Sequence, residues 1–160
     1  MTAFNQSSPD KCDLLDLSPR AALPSQAAIA SSSGSEGASS GHRASLTLIS
    51  FGFKYGRPPA NHYFDVSFLK NPARENTWDL WSEPCGEMRD WVLNQEAAQE
   101  FLQTAVPLAL LLSRVDDGAR IALGCSAGRH RSTILTEELA RRLRATGLEI
   151  AVIHREREVS

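Results

Sequence analysis

The chain has 160 residues, 17 Lys and Arg against 19 Asp and Glu, and a formal net charge of -2. That length suits one ordinary domain with room for a tail, and the near-balance of charge excludes a global basic field for nucleic acid. Cys12, Cys85 and Cys125 are three in number and irregularly spaced, which reads as neither a disulfide framework nor a zinc site. A reducing, cytoplasmic setting is therefore expected, with no metal and no cofactor. The longest apolar run, Val106 to Leu112, is too short to cross a bilayer. The N-terminus has neither the basic segment nor the apolar core of a secretory signal.

Residues 1–44 are rich in Ser, Ala, Gly and Pro. Such a stretch buries too little apolar area to offset its ordering entropy, so a disordered tail is expected. Asp13 to Leu17 carries three leucines and reads as an idle segment or a docking peptide. Residues 45–160 form the expected domain. Leu46 to Phe51 reads as a strand that runs into the glycine-punctuated loop Gly52 to Pro59, with Lys54 and Arg57 as cations. His62 to Leu69 is a further strand in which Asp65 must be paired if buried. Asn71-Pro72 marks a turn, and residues 70–86 are irregular. Trp78 and Trp81 there suit cover for a core edge.

Glu87 to Leu93 reads as a short helix and Glu96 to Arg114 as a long one, with a kink or break expected at Pro107. Asp116-Asp117-Gly118 is a turn. Ala119 to Leu123 is a short apolar strand that Gly124 should end. Cys125 to Arg131 is then a small-residue loop, and a helix follows from Ser132 to about Thr146, stopping at Gly147. Leu135, Leu139 and Leu143 form its inward stripe. Glu149 to Ile153 is the last strand, with His154-Arg155 at its carboxyl end. Arg157 follows, its charge diluted by Glu156 and Glu158. Strands alternating with helices give an α/β class: a single three-layer-like domain with a mostly parallel sheet.

The run Gly124-Cys125-Ser126-Ala127-Gly128-Arg129-His130-Arg131-Ser132 joins a strand to a helix N-terminus. Backbone N–H groups there lack carbonyl partners, and the helix dipole is positive at that end. Gly128 can take a positive φ and let the backbone curl around a ligand. Arg129, His130 and Arg131 add donors and charge, and Arg can grip a phosphate with two parallel bonds. The loop reads as a phosphate cradle. Ligands of open parallel sheets sit at the carboxyl ends of strands, so Gly52, Lys54, His154 and Arg155 join Cys125 to Ser132 as candidate ligand-binding residues.

Several scattered motifs together resemble the C-terminal domain of the RapZ family of RNase adapter proteins. They are Ser50-Phe51-Gly52-Phe53-Lys54-Tyr55-Gly56, Phe64-Asp65-Val66 with Phe68-Leu69 and Asn71-Pro72, and Arg89-Asp90 with Val92-Leu93. Gly124-Cys125, Gly128, His130-Arg131-Ser132 and His154-Arg155 complete the set. The resemblance implies an α/β domain similar to a phosphofructokinase subdomain, self-association, and binding of glucosamine-6-phosphate and, in enterobacteria, small RNAs. It implies a phosphosugar site at Cys125 to Ser132, with Ser126, Gly128, His130 and Arg131 as contacts. Family members commonly carry a P-loop domain before this one. No Gly-x-x-x-x-Gly-Lys-Ser/Thr occurs in this chain, so no P-loop ATPase or GTPase activity is expected of it. Ser67, Lys70 and Ala73 stand where the family has Arg, Pro and, in its enterobacterial adapter, His. Glu158-Val159-Ser160 replaces a lysine-rich end.

Three functions compete. The first is a non-catalytic module that binds a small phosphorylated metabolite, a glucosamine-6-phosphate-like phosphosugar above all. The second is a cysteine-dependent phosphatase, because Cys125 to Arg131 with Ser132 also resembles the Cys-x5-Arg-Ser/Thr loop of tyrosine phosphatases. A thiolate at Cys125 would attack phosphorus while Arg131 holds the oxygens. Gly124 stands where those enzymes have a histidine, and Asp79 or Asp90 would have to serve as the acid. The third is RNA binding by Lys54, Arg57, Arg129, Arg131, Arg155 and Arg157. A partner protein and a homo-oligomer complete the expected associations, with no membrane.

Overall fold

The computed structural model describes residues 45–75, 77, 78, 81 and 83–157. The readings of residues 1–44 as a disordered tail and of Asp13 to Leu17 as a docking peptide lie outside the described residues. Four strands make one sheet in the order β2-β3-β1-β4: β1 Ser45–Gly52, β2 His62–Asp65, β3 Arg120–Cys125 and β4 Glu149–His154. Every pair is parallel. Three helices follow the chain order α1 Gly86–Leu93, α2 Glu96–Val115 and α3 Arg131–Arg144. The α/β class is as expected.

Strand alternation decides which side chains face the helices. Leu46 and Leu48 of β1, Ile121, Leu123 and Cys125 of β3, and Ile150 of β4 join the helices in the main core. There they meet Met88 and Val92 of α1, Leu102 and Ala109 of α2, and Leu135, Leu139 and Leu143 of α3. Ten of the fourteen residues of α3 are buried, because this helix lies against both the sheet and α2. Each fully buried leucine there contributes roughly 1.5–3 kcal/mol relative to an exposed one.

The opposite face carries a smaller cluster, Ile49, Phe51 and Ala122, with Phe53, Ala60 and Ile153 against it. The layer over this face is loop, not helix. Residues 53–61 leave the carboxyl end of β1, form a short 3-10 turn at Phe53–Tyr55, and return to the amino end of β2. So β1 and β3 send their connections to opposite faces, which makes the gap between them the topological switch point of the sheet.

Three elements differ from the sequence reading. β3 does not stop at Gly124, which pairs with Phe51 in the ladder. A Cβ at Gly124 would stand 2.5 Å from the Phe51 ring and 2.7 Å from the Phe53 ring, so the glycine serves ring packing and Cys125 ends the strand. β2 ends at Asp65, whose exposed carboxylate accepts the Ser67 N–H at 2.8 Å and starts a turn. α2 runs unbroken through Pro107. That residue is on the exposed side, where water can satisfy the carbonyl that lacks its N–H partner.

Candidate functional site

Register brings all four strand ends to one edge: Gly52 lies opposite Cys125, Asp65 opposite Gly124, and Ser50 opposite His154. At the switch point two backbones touch. A Cβ at Gly52 would stand 2.5 Å from the carbonyl carbon of Ala127, and one at Gly128 would stand 2.5 Å from Gly52 N. Gly128 has φ +75°, a conformation that costs an L-residue roughly 1–2 kcal/mol. Both glycines are therefore required by close approach, and together they fix the curl of the 126–130 loop.

The loop is anchored by three further bonds. Lys54 N–H donates to Ser126 O at 3.2 Å, Thr133 Oγ1 donates to Gly128 O at 3.0 Å, and an Arg131 Nη donates to Ser126 Oγ at 3.0 Å. The backbone N–H groups of Ala127, Gly128 and Arg129 meet no acceptor among the described residues. The first bond of helical type is Ile134 N–H to His130 O at 2.9 Å, so the amides of Arg131, Ser132 and Thr133 precede the ladder. Among the described residues no side chain caps this helix end. A row of donors at a positive dipole end is an anion site.

Beside it lies a cavity of about 220 Å³ lined by Asn71, Ala73 and the run Cys125, Ser126, Ala127, Arg129, His130 and Arg131. Six of the twelve candidate residues thus surround one space. Gly128 instead lines a second cavity of about 110 Å³, with Trp81, Glu83, Pro84, Arg129, Glu156 and Arg157. Arg129 borders both, its guanidinium 4.8 Å from the centre of the Trp81 ring, and Trp81 is 66% exposed. Trp78, by contrast, packs against the core beside Trp91, as cover.

The other candidates are held elsewhere. Ser132 is buried behind the cavity with its Oγ 3.2 Å from Cys125 Sγ. Lys54 meets the loop through its backbone, while its Nζ lies over the Tyr55 ring. His154 places Nδ1 2.8 Å from Ser50 Oγ and Nε2 3.4 Å from Glu137. Arg155 is bound to Glu156, Gly56 O and Gly52 O. Arg131 is buried, one Nη reaching Ser67 O at 2.8 Å and Leu69 O at 2.9 Å.

Behind the loop, α3 carries two consecutive glutamates joined by Arg89 of α1, at 2.6 Å to Glu137 and 3.4 Å to Glu138. The Glu137 carboxyl sits below its ordinary range, chiefly through the hydrogen bond from His154, against an opposing effect of burial and with help from Arg89 and Arg157. Glu138 is pulled down to about 2, first by Arg141, against burial, and then by Arg142.

Sequence reasoning missed Asn71, Glu83 and Glu156 as wall residues. Asn71 follows β2, a third parallel strand ending at the same edge, and that shared edge was the available signal. Glu83 had no such pointer, because a loop return is not written in periodicity.

Residues 44–158 match the RapZ C-terminal domain. A Lachnoclostridium phytofermentans protein named nucleotide-binding protein is 40% identical over 121 residues, 71% of this chain and 42% of its own length. A nucleotide-binding protein of Bifidobacterium longum is 42% identical over 115 residues, 68% of this chain and 35% of its own. One from Caldicellulosiruptor bescii is 36% identical over 119 residues, 71% and 41% respectively. The chain spans about two-fifths of the length of these curated relatives.

Proposed function

Because the chain belongs to the RapZ C-terminal domain family, we propose that it is a non-catalytic binding module for a phosphorylated sugar or related phosphometabolite, seated at the 126–131 loop. The observation that carries this reading is the row of amides leading into α3 that meet no acceptor among the described residues, beside a cavity lined by Ala127, Arg129, His130 and Arg131. At about 220 Å³ the space is small beside ligand clefts of roughly 300–1,000 Å³. It suits a single phosphosugar, glucosamine-6-phosphate-like, better than a nucleoside triphosphate. The relatives' name refers to nucleotides. We assign that property to the part of those proteins outside the matched region, since this chain has no Gly-x-x-x-x-Gly-Lys-Ser/Thr.

The phosphatase reading draws on Cys125 at the start of the loop, its Sγ 3.2 Å from Ser132 Oγ. Two features favour binding over chemistry: Cys125 is only 3% exposed, and two carbonyls engage the Arg131 guanidinium. RNA remains the second ligand class we propose. Its surface is Lys54 and Arg57, both exposed and each over an aromatic ring, a pattern suited to single strands. Self-association and a protein partner extend the family reading to this chain, in the cytoplasm. Among the described residues no helix is long and apolar enough to cross a membrane.

Thermal unfolding titrated with glucosamine-6-phosphate tests the main reading. A bound ligand raises the midpoint with concentration, and Arg129→Ala should remove the rise. A panel of phosphosugars and inorganic phosphate without any shift would end it. Loss of RNA affinity with added salt checks the second ligand class.

A further inference from the structure

We propose that Glu156 is a positioning residue of this site: its carboxylate sets the depth of the phosphate loop by holding the end of β1 against Gly128. The inference rests on the phosphoryl-site reading above. Glu156 follows β4 and its side chain is only 7% exposed. Its Oε1 accepts the Gly52 N–H at 2.7 Å. Its Oε2 accepts Arg155 Nε at 3.0 Å, and Arg155 in turn donates to Gly52 O at 3.2 Å and Gly56 O at 2.8 Å. Both backbone polar groups of Gly52 are thereby held by the Arg155–Glu156 pair.

The stem of Glu156 completes the junction. A Cβ at Gly128 would stand 2.7 Å from Glu156 Cγ, 2.5 Å from Gly52 N and 2.8 Å from Phe51 C. The positive-φ turn of the loop therefore rests on two supports, the β1 backbone and the Glu156 side chain. The acceptor matters as well as the shape. A bare Gly52 N–H beside Gly128 would be one more donor at the switch point, competing for the anion from the wrong side of the loop. The carboxylate occupies that donor, so the amides of Ala127 and Arg129, which meet no acceptor among the described residues, have no rival there. A strand-end glycine, a loop glycine and a carboxylate from the neighbouring strand make a rigid floor, which preorganises a binding loop.

The test compares Glu156→Ala and Glu156→Gln with the parent chain, by calorimetric titration with glucosamine-6-phosphate and with inorganic phosphate. Glu156→Ala should weaken both ligands on the order of tenfold, the size of effect of losing one charge-assisted support. Glu156→Gln, which keeps an acceptor for Gly52 N–H, should stay within about threefold of the parent. Amide hydrogen exchange of the free proteins supplies a readout that a general loss of stability does not mimic. In Glu156→Ala, exchange should quicken at Gly52 and Gly128 while the amides of α2 keep their protection. If the parent chain binds and both variants bind equally well, the positioning role is overturned and the phosphoryl site stands. If the parent binds neither ligand, the site reading fails and the inference with it. Should Glu156→Ala not fold, Glu156→Asp decides, because its shorter stem withdraws the acceptor from Gly52 N–H. Weakening of about tenfold with faster exchange at Gly52 and Gly128 then supports the role, and binding equal to the parent's overturns it.

Discussion

The Arg131 guanidinium donates to the buried carbonyl oxygen of Leu69 at 2.9 Å. With the bond from the same Nη to Ser67 O at 2.8 Å, this fastens the turn after β2 to the first residue of α3. One wall of the cavity, Asn71 and Ala73, is therefore positioned by an arginine of the opposite wall.

Arg131→Ala should accordingly cost stability as well as binding. It strands two carbonyls and leaves Ser126 Oγ without its donor, for a loss of roughly 2–4 kcal/mol. Urea unfolding checks this. Arg131→Lys should recover little, because an ammonium cannot reproduce the planar fork.

Arg129→Ala separates binding from folding. Its guanidinium has only the Trp81 face as partner among the described residues, a contact of about 0.5–1 kcal/mol. Unfolding free energy should fall by no more than that, while the phosphosugar-induced shift disappears.

Gly128→Ala and Gly52→Ala should each destabilise by more than about 2 kcal/mol, because each adds a Cβ within 2.5 Å of backbone and the first also sits at φ +75°. Thermal unfolding of the two variants measures it. Unaltered midpoints would mean that the two backbones are not in contact.

Acid should weaken the fold through α3. Glu138 falls from an ordinary 4.5 to about 2 in the folded chain, and Glu137 is lowered as well. For a depressed carboxyl, stability is fully present above the unfolded value and is lost as pH falls through the folded one. The loss should run from about pH 5 down to about pH 2. For Glu138 it should be on the order of 2 kcal/mol, discounted because its partner Arg141 is largely solvated. Glu138→Gln should flatten that slope in pH-dependent urea unfolding.

Cys125→Ser should keep the ligand-induced shift, and neither it nor the parent chain should release phosphate from an aryl phosphate. Turnover by the parent that the serine variant loses would restore the phosphatase reading.

Periodicity made the helices legible, because buried leucines and alanines recur at 3–4 residues in α2 and α3, and short apolar runs marked all four strands, with β2 read too long. The loop after β3 was legible for the same local reason: small residues between a strand and a helix. What could not be read was partnership across the sheet edge. Arg155 and His154 look like free cations in the chain, yet Glu156, Glu137 and Ser50 engage them. Gly124 looked like a strand breaker, and only the Phe51 and Phe53 rings explain why the strand passes through it.

The return from Gly52 to His62 has its own consequence. The registers Gly52 with Cys125 and His62 with Ile121 require a backward step of four strand residues, ~13 Å, and a sideways step of two strand spacings, ~10 Å. Ten residue steps span at most ~35 Å, and the 3-10 turn at Phe53–Tyr55 shortens that reach. The direct span is ~16 Å, so lengthening this connector should be harmless. A connector shortened by three or four residues still reaches, at ~20–25 Å, but only by opening the 3-10 turn from which Lys54 N–H holds Ser126 O, and so by loosening the floor of the cavity.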